Sequence, residues 1–304
     1  MITLSSRRAR LLIAFAAVYI IWGSTYLAIR IAVGSIPPLL MASIRMTSAG
    51  VILLGIALLT GAPRPNRAEW RSAVVIGALL FLGGNGAVVW SAQHVPSGLV
   101  ALVVSSVPLW LVVLESIRPQ GNRPRPITWL GVAVGLAGIA MLVGPGGMRG
   151  GIDPFSTIIL VVGSLLWATG SLLSRRMPAP RSPLVTAALQ MLCGGLWQLA
   201  AGLALGEAAR FHPASVTPAA WLSVAYLSVF GSIVAFTAFM WLMRNTTPAK
   251  AGTYGYVNPI VALILGWAFA GERLTARAGV AAVVIIGAVA LITSAGARPK
   301  VPDA

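Results

Sequence analysis

The chain has 304 residues, of which 58% are hydrophobic and only 9% charged, with a formal net charge of +16. Apolar runs near 20 residues recur, the length that spans a bilayer core at 1.5 Å per residue, so a soluble globular domain is excluded and a polytopic all-α membrane protein is expected. The basic residues are spread through short loops with no aromatic-interleaved basic patch, which excludes a nucleic-acid surface and reads as a topology signal.

The segment MITLSSRRAR sets Arg7, Arg8 and Arg10 before an apolar run that continues past Trp22 and Tyr26 without a small-residue cleavage site, so it is helix 1 and not a signal peptide. Pro37 and Pro38 open helix 2, since proline is tolerated in a first helical turn. Ser72 to Leu114 carries no charge and is too long for one crossing; the polar break QHVPSG divides it into helices 3 and 4. Helix 5 is expected near 127–143. The Gly-rich linker GPGGMRGGID follows and marks the boundary between residues 1–148 and 149–304. Helices 6 to 10 are expected near 154–174, 183–205, 218–242, 250–271 and 278–296, five helices per half. Cys193 is the single cysteine and lies inside helix 7, which rules out an intramolecular disulfide and leaves a packed thiol.

The halves echo each other. A shift of 151 residues lays Trp70 on Trp221, Trp90 on Trp241 and Pro108 on Pro259, and both prolines interrupt an apolar run where a helix normally excludes them. With the amino terminus inside, the inner segments hold 16 of the 22 Lys and Arg residues. Both termini are therefore expected in the cytoplasm. Because five is odd, the second repeat enters from the opposite side, giving two inverted five-helix repeats; a matched pair of proline-interrupted segments in such a chain points to a transport site. The 20 Arg against 2 Lys suggest a GC-rich bacterial genome and hence a bacterial inner membrane.

Several stretches resemble a known family. WGSTYLAIR and PPLLMASIR in the first half, and NPIVAL followed by LGWAFAGERLTARAG in the second, resemble the paired signatures of the EamA-type family of the drug/metabolite transporter superfamily. The resemblance covers nearly the whole chain. Within that family the tryptophan content is similar to the YddG-type exporters of aromatic and other neutral amino acids. The resemblance places the family's helix 1 Trp-Gly pair on Trp22 and Gly23, its helix 2 Pro and Arg on Pro37 and Arg45, its helix 9 proline on Pro259 and its Gly-Glu pair on Gly271 and Glu272. The first half departs from this pattern: the position matching Glu272 is Gly121.

Polar groups inside a span turn toward the bundle interior or a water-filled cavity, so they map the inside. Asn85 sits among glycines in GGNG, open to two readings: substrate contact, or a closely packed small-residue helix face. Ser105 and Ser106 precede Pro108, and Thr253, Tyr254, Tyr256 and Asn258 precede Pro259. Each proline leaves a carbonyl one turn earlier without its usual donor, free to accept from a ligand amine or to be satisfied by a local hydroxyl or a water. The two prolines are also the candidate hinges. Trp22, Trp110 and Trp167 lie deep in spans, where an indole suits either stacking on a substrate or core packing, whereas Trp70, Trp129 and Trp221 lie at helix starts as interfacial anchors. Arg45 is the one charge within a span, about 10 Å from the helix end by the helical rise. It either binds a substrate carboxylate or stays structural, snorkelling outward or pairing with helix carbonyls.

These residues point to a secondary transporter that exports small neutral or zwitterionic metabolites, amino acids first among them, by alternating access and without obligatory proton coupling. The cavity is expected among helices 1, 3, 4, 6, 8 and 9. No cofactor, no metal and no catalytic residue are expected, and the expected partners are a small-molecule substrate and the lipid bilayer, with the chain a monomer. A sugar-phosphate or nucleotide-sugar transporter is the alternative of the same superfamily, but it needs several deep cations where only Arg45 is found. A membrane-embedded enzyme needs a nucleophile with its base or paired acids at depth, and no span offers them.

Overall fold

A computed structural model of the chain describes residues 4–117, 125–143, 153–246, 253–272 and 275–294, and those residues fold as helices and the turns that join them. Seven of the helices are long and apolar enough to cross a membrane and three more are shorter and apolar, which meets the expectation of ten. In chain order they are α1 (Leu4–Ala17, Val18–Trp22 and Gly23–Ala32), α2 (Pro38–Leu59), α3 (Arg67–Gly77, Ala78–Asn85 and Gly86–Ser91) and α4 (Ser97–Val104 and Val107–Ser116). There follow α5 (Pro126–Val143), α6 (Pro154–Ser174) and α7 (Pro183–Ala204). The last three are α8 (Pro218–Tyr226, Leu227–Val234 and Ala235–Asn245), α9 (Tyr254–Ala270) and α10 (Ala276–Ser294). The linker after α5, Arg118 and Gly121 lie outside the described residues.

Proline sets most of the starts. Pro38, Pro126, Pro154, Pro183 and Pro218 occupy the first turns of their helices, where the missing N–H costs nothing. α2, α7 and α9 end on Gly61, Gly206 and Gly271 with φ of 86°, 71° and 63°, the left-handed conformation that glycine adopts without a Cβ clash. Two internal features were not expected. The middle segments of α1, α3 and α8 are π-helical, and α4 is broken at Ser105 and Ser106 rather than continuous through Pro108. α9 begins four residues later than expected, at Tyr254.

The packing has an internal regularity: for the most extensive contacts, adding five to each helix number returns another pair that packs together. α2 lies against α7 and α5 against α10; α3 packs on α6 as α8 packs on α1, and α1 packs on α9 as α6 packs on α4. Small residues allow the close approaches. A Cβ on Gly163 would stand 2.4 Å from the Ala87 Cβ, and one on Gly84 would stand 2.7 Å from Trp167 Cε3. The outward faces are apolar: Leu59, Phe269, Val283 and Leu222 are all more than two-thirds exposed, as lipid-facing side chains should be.

α2 and α4 are capped from elsewhere in the chain. Their N-cap residues are Pro37 and Pro96, which have no capping side chain. Glu207, buried just past α7, accepts the N–H groups of Leu39 and Leu40 at 3.2 and 2.9 Å. Glu272, just past α9, accepts those of Ser97 and Gly98 at 2.6 and 3.2 Å. A carboxylate at a helix N-terminus satisfies orphan donors and meets the positive end of the helix dipole. Asp153 does the same locally for α6, taking the N–H of Ser156 at 2.9 Å together with the Ser156 hydroxyl.

Candidate functional site: a central cavity

The interior holds a cavity of about 180 Å³ walled by residues of α1, α2, α3, α4, α6, α7, α8 and α9. The six helices expected from the sequence supply most of the wall; α2 adds Arg45 and Met46, and α7 adds Met191. The π-helical segments all border it, through Trp22, through Phe81, Gly84 and Asn85, and through Gly231 and Ser232. A π turn widens the helix and redirects side chains and carbonyls, and such segments recur at functional sites.

Arg45 is turned inward. It is 6% exposed, donates from Nε to Ser232 Oγ at 3.0 Å, and leaves Nη1 buried without a partner. Gly231 makes the room, because a Cβ there would stand 3.2 Å from Arg45 Nη2. Of the two readings for Arg45, the outward-reaching one does not describe this arrangement. A buried cation with one hydroxyl partner carries a desolvation cost that an anionic group in the cavity would offset.

Other groups on the same wall can accept hydrogen bonds. Pro108 has no N–H for the carbonyl of Val104 and Pro259 none for that of Gly255; Val104 and Gly255 both line the cavity. Asn258 lines it too, 4% exposed, with Oδ1 buried and unpartnered. Ser105 donates its hydroxyl hydrogen to Leu102 O at 2.6 Å, which leaves the hydroxyl oxygen as an acceptor.

Aromatic rings close the remaining wall. Trp22 packs against Phe239 and Tyr254 with ring centroids 5.1 Å away in each case, and its indole N–H donates to Gly231 O at 3.0 Å. It therefore presents an apolar face to the cavity and no free donor. Trp167 lies over Gly84 and meets Phe81 edge to face, so the glycines of GGNG serve helix packing while Asn85 of the same motif lines the cavity. The packing reading describes the glycines, and Asn85 is left facing the cavity.

Of the sequence-derived candidates, Trp22, Arg45, Asn85, Ser105, Trp167, Asn258, Pro108 and Pro259 border one cavity. Trp110 does not. At about 100° per residue it points well away from Pro108 and Leu111, which do line the wall, and its indole N–H is buried without a partner. Tyr256 lies in α9, but its side chain is outside the described residues. Tyr254, one of the polar residues ahead of Pro259, also lines the cavity, and so do Thr25, Tyr26, Ser164 and Ser232, which the sequence does not single out. Their only signal is polarity within a span, which they share with hydroxyls that merely bond back to their own helix.

The profile of the EamA-like transporter family matches residues 9–144 and again 155–294. The chain is 42% identical over 281 residues to the uncharacterized inner membrane transporter YedA of Escherichia coli (strain K12), covering 92% of this chain and 89% of that protein. It is 29% identical over 276 residues to protein PecM of Dickeya dadantii (strain 3937), covering 90% and 88%. A crystal structure with 21% sequence identity superposes with a TM-score of 0.62 over 97% of this chain and all of the other, which is a likeness of fold.

Proposed function

We propose that this chain, which belongs to the EamA-like transporter family, exports small zwitterionic or neutral metabolites, with aromatic and other amino acids the leading class. It works as a secondary transporter of a bacterial inner membrane, both termini in the cytoplasm, by alternating access of two inverted five-helix repeats. The observation that carries the substrate class is the division of the cavity's polar groups into a cationic donor and unpartnered acceptors. Arg45 offers an unpartnered guanidinium N–H, while Asn258 Oδ1, the Ser105 oxygen and the carbonyls ahead of two prolines can only accept from a ligand. A carboxylate and an ammonium on one small molecule match that division, and the faces of Trp22 and Trp167 suit an apolar or aromatic side chain.

Size and charge argue against the superfamily alternative. A volume of about 180 Å³ holds a small metabolite and lies below the range of about 300–1,000 Å³ typical for drug-sized ligands. A nucleotide sugar exceeds it, and a single guanidinium balances a carboxylate better than a diphosphate. Transport without obligatory proton coupling is supported by a wall that, among the described residues, carries no carboxylate or histidine, and by the engagement of Glu207 and Glu272 as helix caps. The test is uptake of labelled phenylalanine and leucine into proteoliposomes of the purified chain, with nucleotide sugars and sugar phosphates as competitors. Saturable uptake, competed by other amino acids and weakened about 10- to 100-fold by Arg45→Gln, is the expected result, the size of a lost charge-assisted hydrogen bond. Binding or uptake restricted to the phosphorylated competitors overturns the reading.

A further inference from the structure

Behind the cavity wall, Gln198 of α7 is wholly buried and outside the residues that line the cavity. Its side-chain nitrogen lies 2.8 Å from the Phe81 carbonyl oxygen and 3.2 Å from Asn85 Oδ1. A backbone carbonyl can only accept, so the Gln198 atom that faces it is the amide nitrogen. That nitrogen has a second hydrogen, directed at Asn85, and the Asn85 atom receiving it is therefore the oxygen. What Asn85 has left is its NH2 group, and Asn85 lines the cavity. Among the described residues that NH2 group makes no hydrogen bond. The Gln198 oxygen meanwhile is buried and unpartnered, so the side chain is held by its nitrogen alone, at the cost of an unsatisfied acceptor.

We propose that Gln198 is a positioning residue that fixes Asn85 as a hydrogen-bond donor, so that Asn85 Nδ2 and Arg45 Nη1 together hold the carboxylate of the transported solute. The solute's ammonium group then falls to the acceptors, Asn258 Oδ1 and the carbonyls of Val104 and Gly255. This rests on the amino-acid reading and sharpens it: the site selects for a free carboxylate, and the decarboxylated amine of the same side chain is a poor substrate. An amide left free to rotate presents oxygen or nitrogen to suit either ligand. Locked from behind by Gln198, it presents only the donor, and the discrimination is built into a residue that the substrate never touches.

The measurement is transport by the full chain in proteoliposomes, with labelled phenylalanine as substrate and 2-phenylethylamine as competitor. Gln198→Met keeps the length of the side chain and removes the lock; Asn85→Asp turns the cavity-facing atom into an acceptor. The expected result for Gln198→Met is a rise of about tenfold or more in the KM for phenylalanine at nearly unchanged kcat, the effect of one hydrogen bond to a charged group. Inhibition by 2-phenylethylamine should hold or improve. Asn85→Asp should reverse the preference toward the amine. If Gln198→Met does not fold, Asn85→Asp alone decides the matter through that reversal. Should both ligands weaken by the same factor in both variants, as loss of packing would produce, the proposal is overturned while the amino-acid reading stands. If the wild-type chain takes up neither phenylalanine nor any other amino acid, the amino-acid reading itself falls, and this inference with it.

Discussion

Glu207 Oε2 lies 2.9 Å from the backbone nitrogen of Leu40, across 167 residues of sequence, so a helix of the first half is capped by a carboxylate of the second. Glu272 repeats the arrangement on Ser97 and Gly98. Glu207→Ala leaves two buried N–H groups unpaired and should destabilise the fold by about 1–3 kcal/mol, read as a lower thermal midpoint in detergent, with Glu207→Gln milder. The second cap has a partner that makes it testable without touching the acid. A Cβ on Gly266 would stand 2.3 Å from Glu272 Oε2, so Gly266→Ala should displace the carboxylate. Gly266→Ala and Glu272→Ala should then be strongly non-additive in combination; simple addition would show that Gly266→Ala does not act through the cap.

The close approach of α3 and α6 predicts a second set of effects. Gly84→Ala places a methyl group 2.7 Å from Trp167 Cε3, and relief requires the indole to move off the cavity wall. Overpacking of this kind costs about 1–3 kcal/mol. The variant should lose thermal stability and weaken aromatic more than aliphatic substrates. A variant with wild-type stability and selectivity would mean that α3 can shift freely.

Asp153 gives a pH dependence. Its hydrogen bonds from the Ser156 hydroxyl and N–H hold its carboxyl below the ordinary 3.8. A depressed folded value means that the cap contributes fully above about 3.8 and is lost as pH falls below it. Between pH 5 and 3 the wild-type chain should therefore lose more thermal stability than Asp153→Asn. Parallel curves for the two would show that the cap does not couple to folding.

Energetics offer another test. A carrier that moves protons usually holds a carboxylate or histidine at depth, because a group must gain and lose its proton as access alternates. The cavity wall has neither among the described residues, and Glu115 stands near the end of α4, outside the cavity lining. A pH gradient across proteoliposomes at zero membrane potential, with equal neutral substrate on both sides, should produce no sustained accumulation. Uphill accumulation abolished by Glu115→Gln would show coupling.

Much of this was legible in the sequence, for reasons that are local. Proline at helix starts, glycine at helix ends and about 20 apolar residues between them are rules that act within one turn of the chain, so α2, α6 and α7 fall close to where they were expected. The doubled prolines led to the cavity because the carbonyl that each frees lies one turn earlier on the same helix. What was not legible depends on distant partners. Nothing near Glu207 says that it is buried, since the N–H groups that satisfy it belong to Leu39 and Leu40. Depth alone cannot say which way Arg45 turns; Ser232 and the gap at Gly231 decide it. Depth alone groups Trp110 with Trp22 and Trp167, whereas α4 is broken at Ser105 and Ser106, a break that proline spacing alone does not place.

The central claim is that the cavity lined by both Arg45 and Asn258 is where the solute sits, and a single thiol placed there tests it most directly. Cys193 is buried and is the only cysteine of the chain, so Cys193→Ala gives a background without thiols in which Ser105→Cys adds one to the cavity wall. Labelling of that thiol by a small maleimide should proceed in the purified protein and slow at least about tenfold at saturating phenylalanine, while 2-phenylethylamine and nucleotide sugars protect poorly. Labelling that is unchanged by any amino acid at concentrations that saturate transport would contradict the account and place the solute elsewhere.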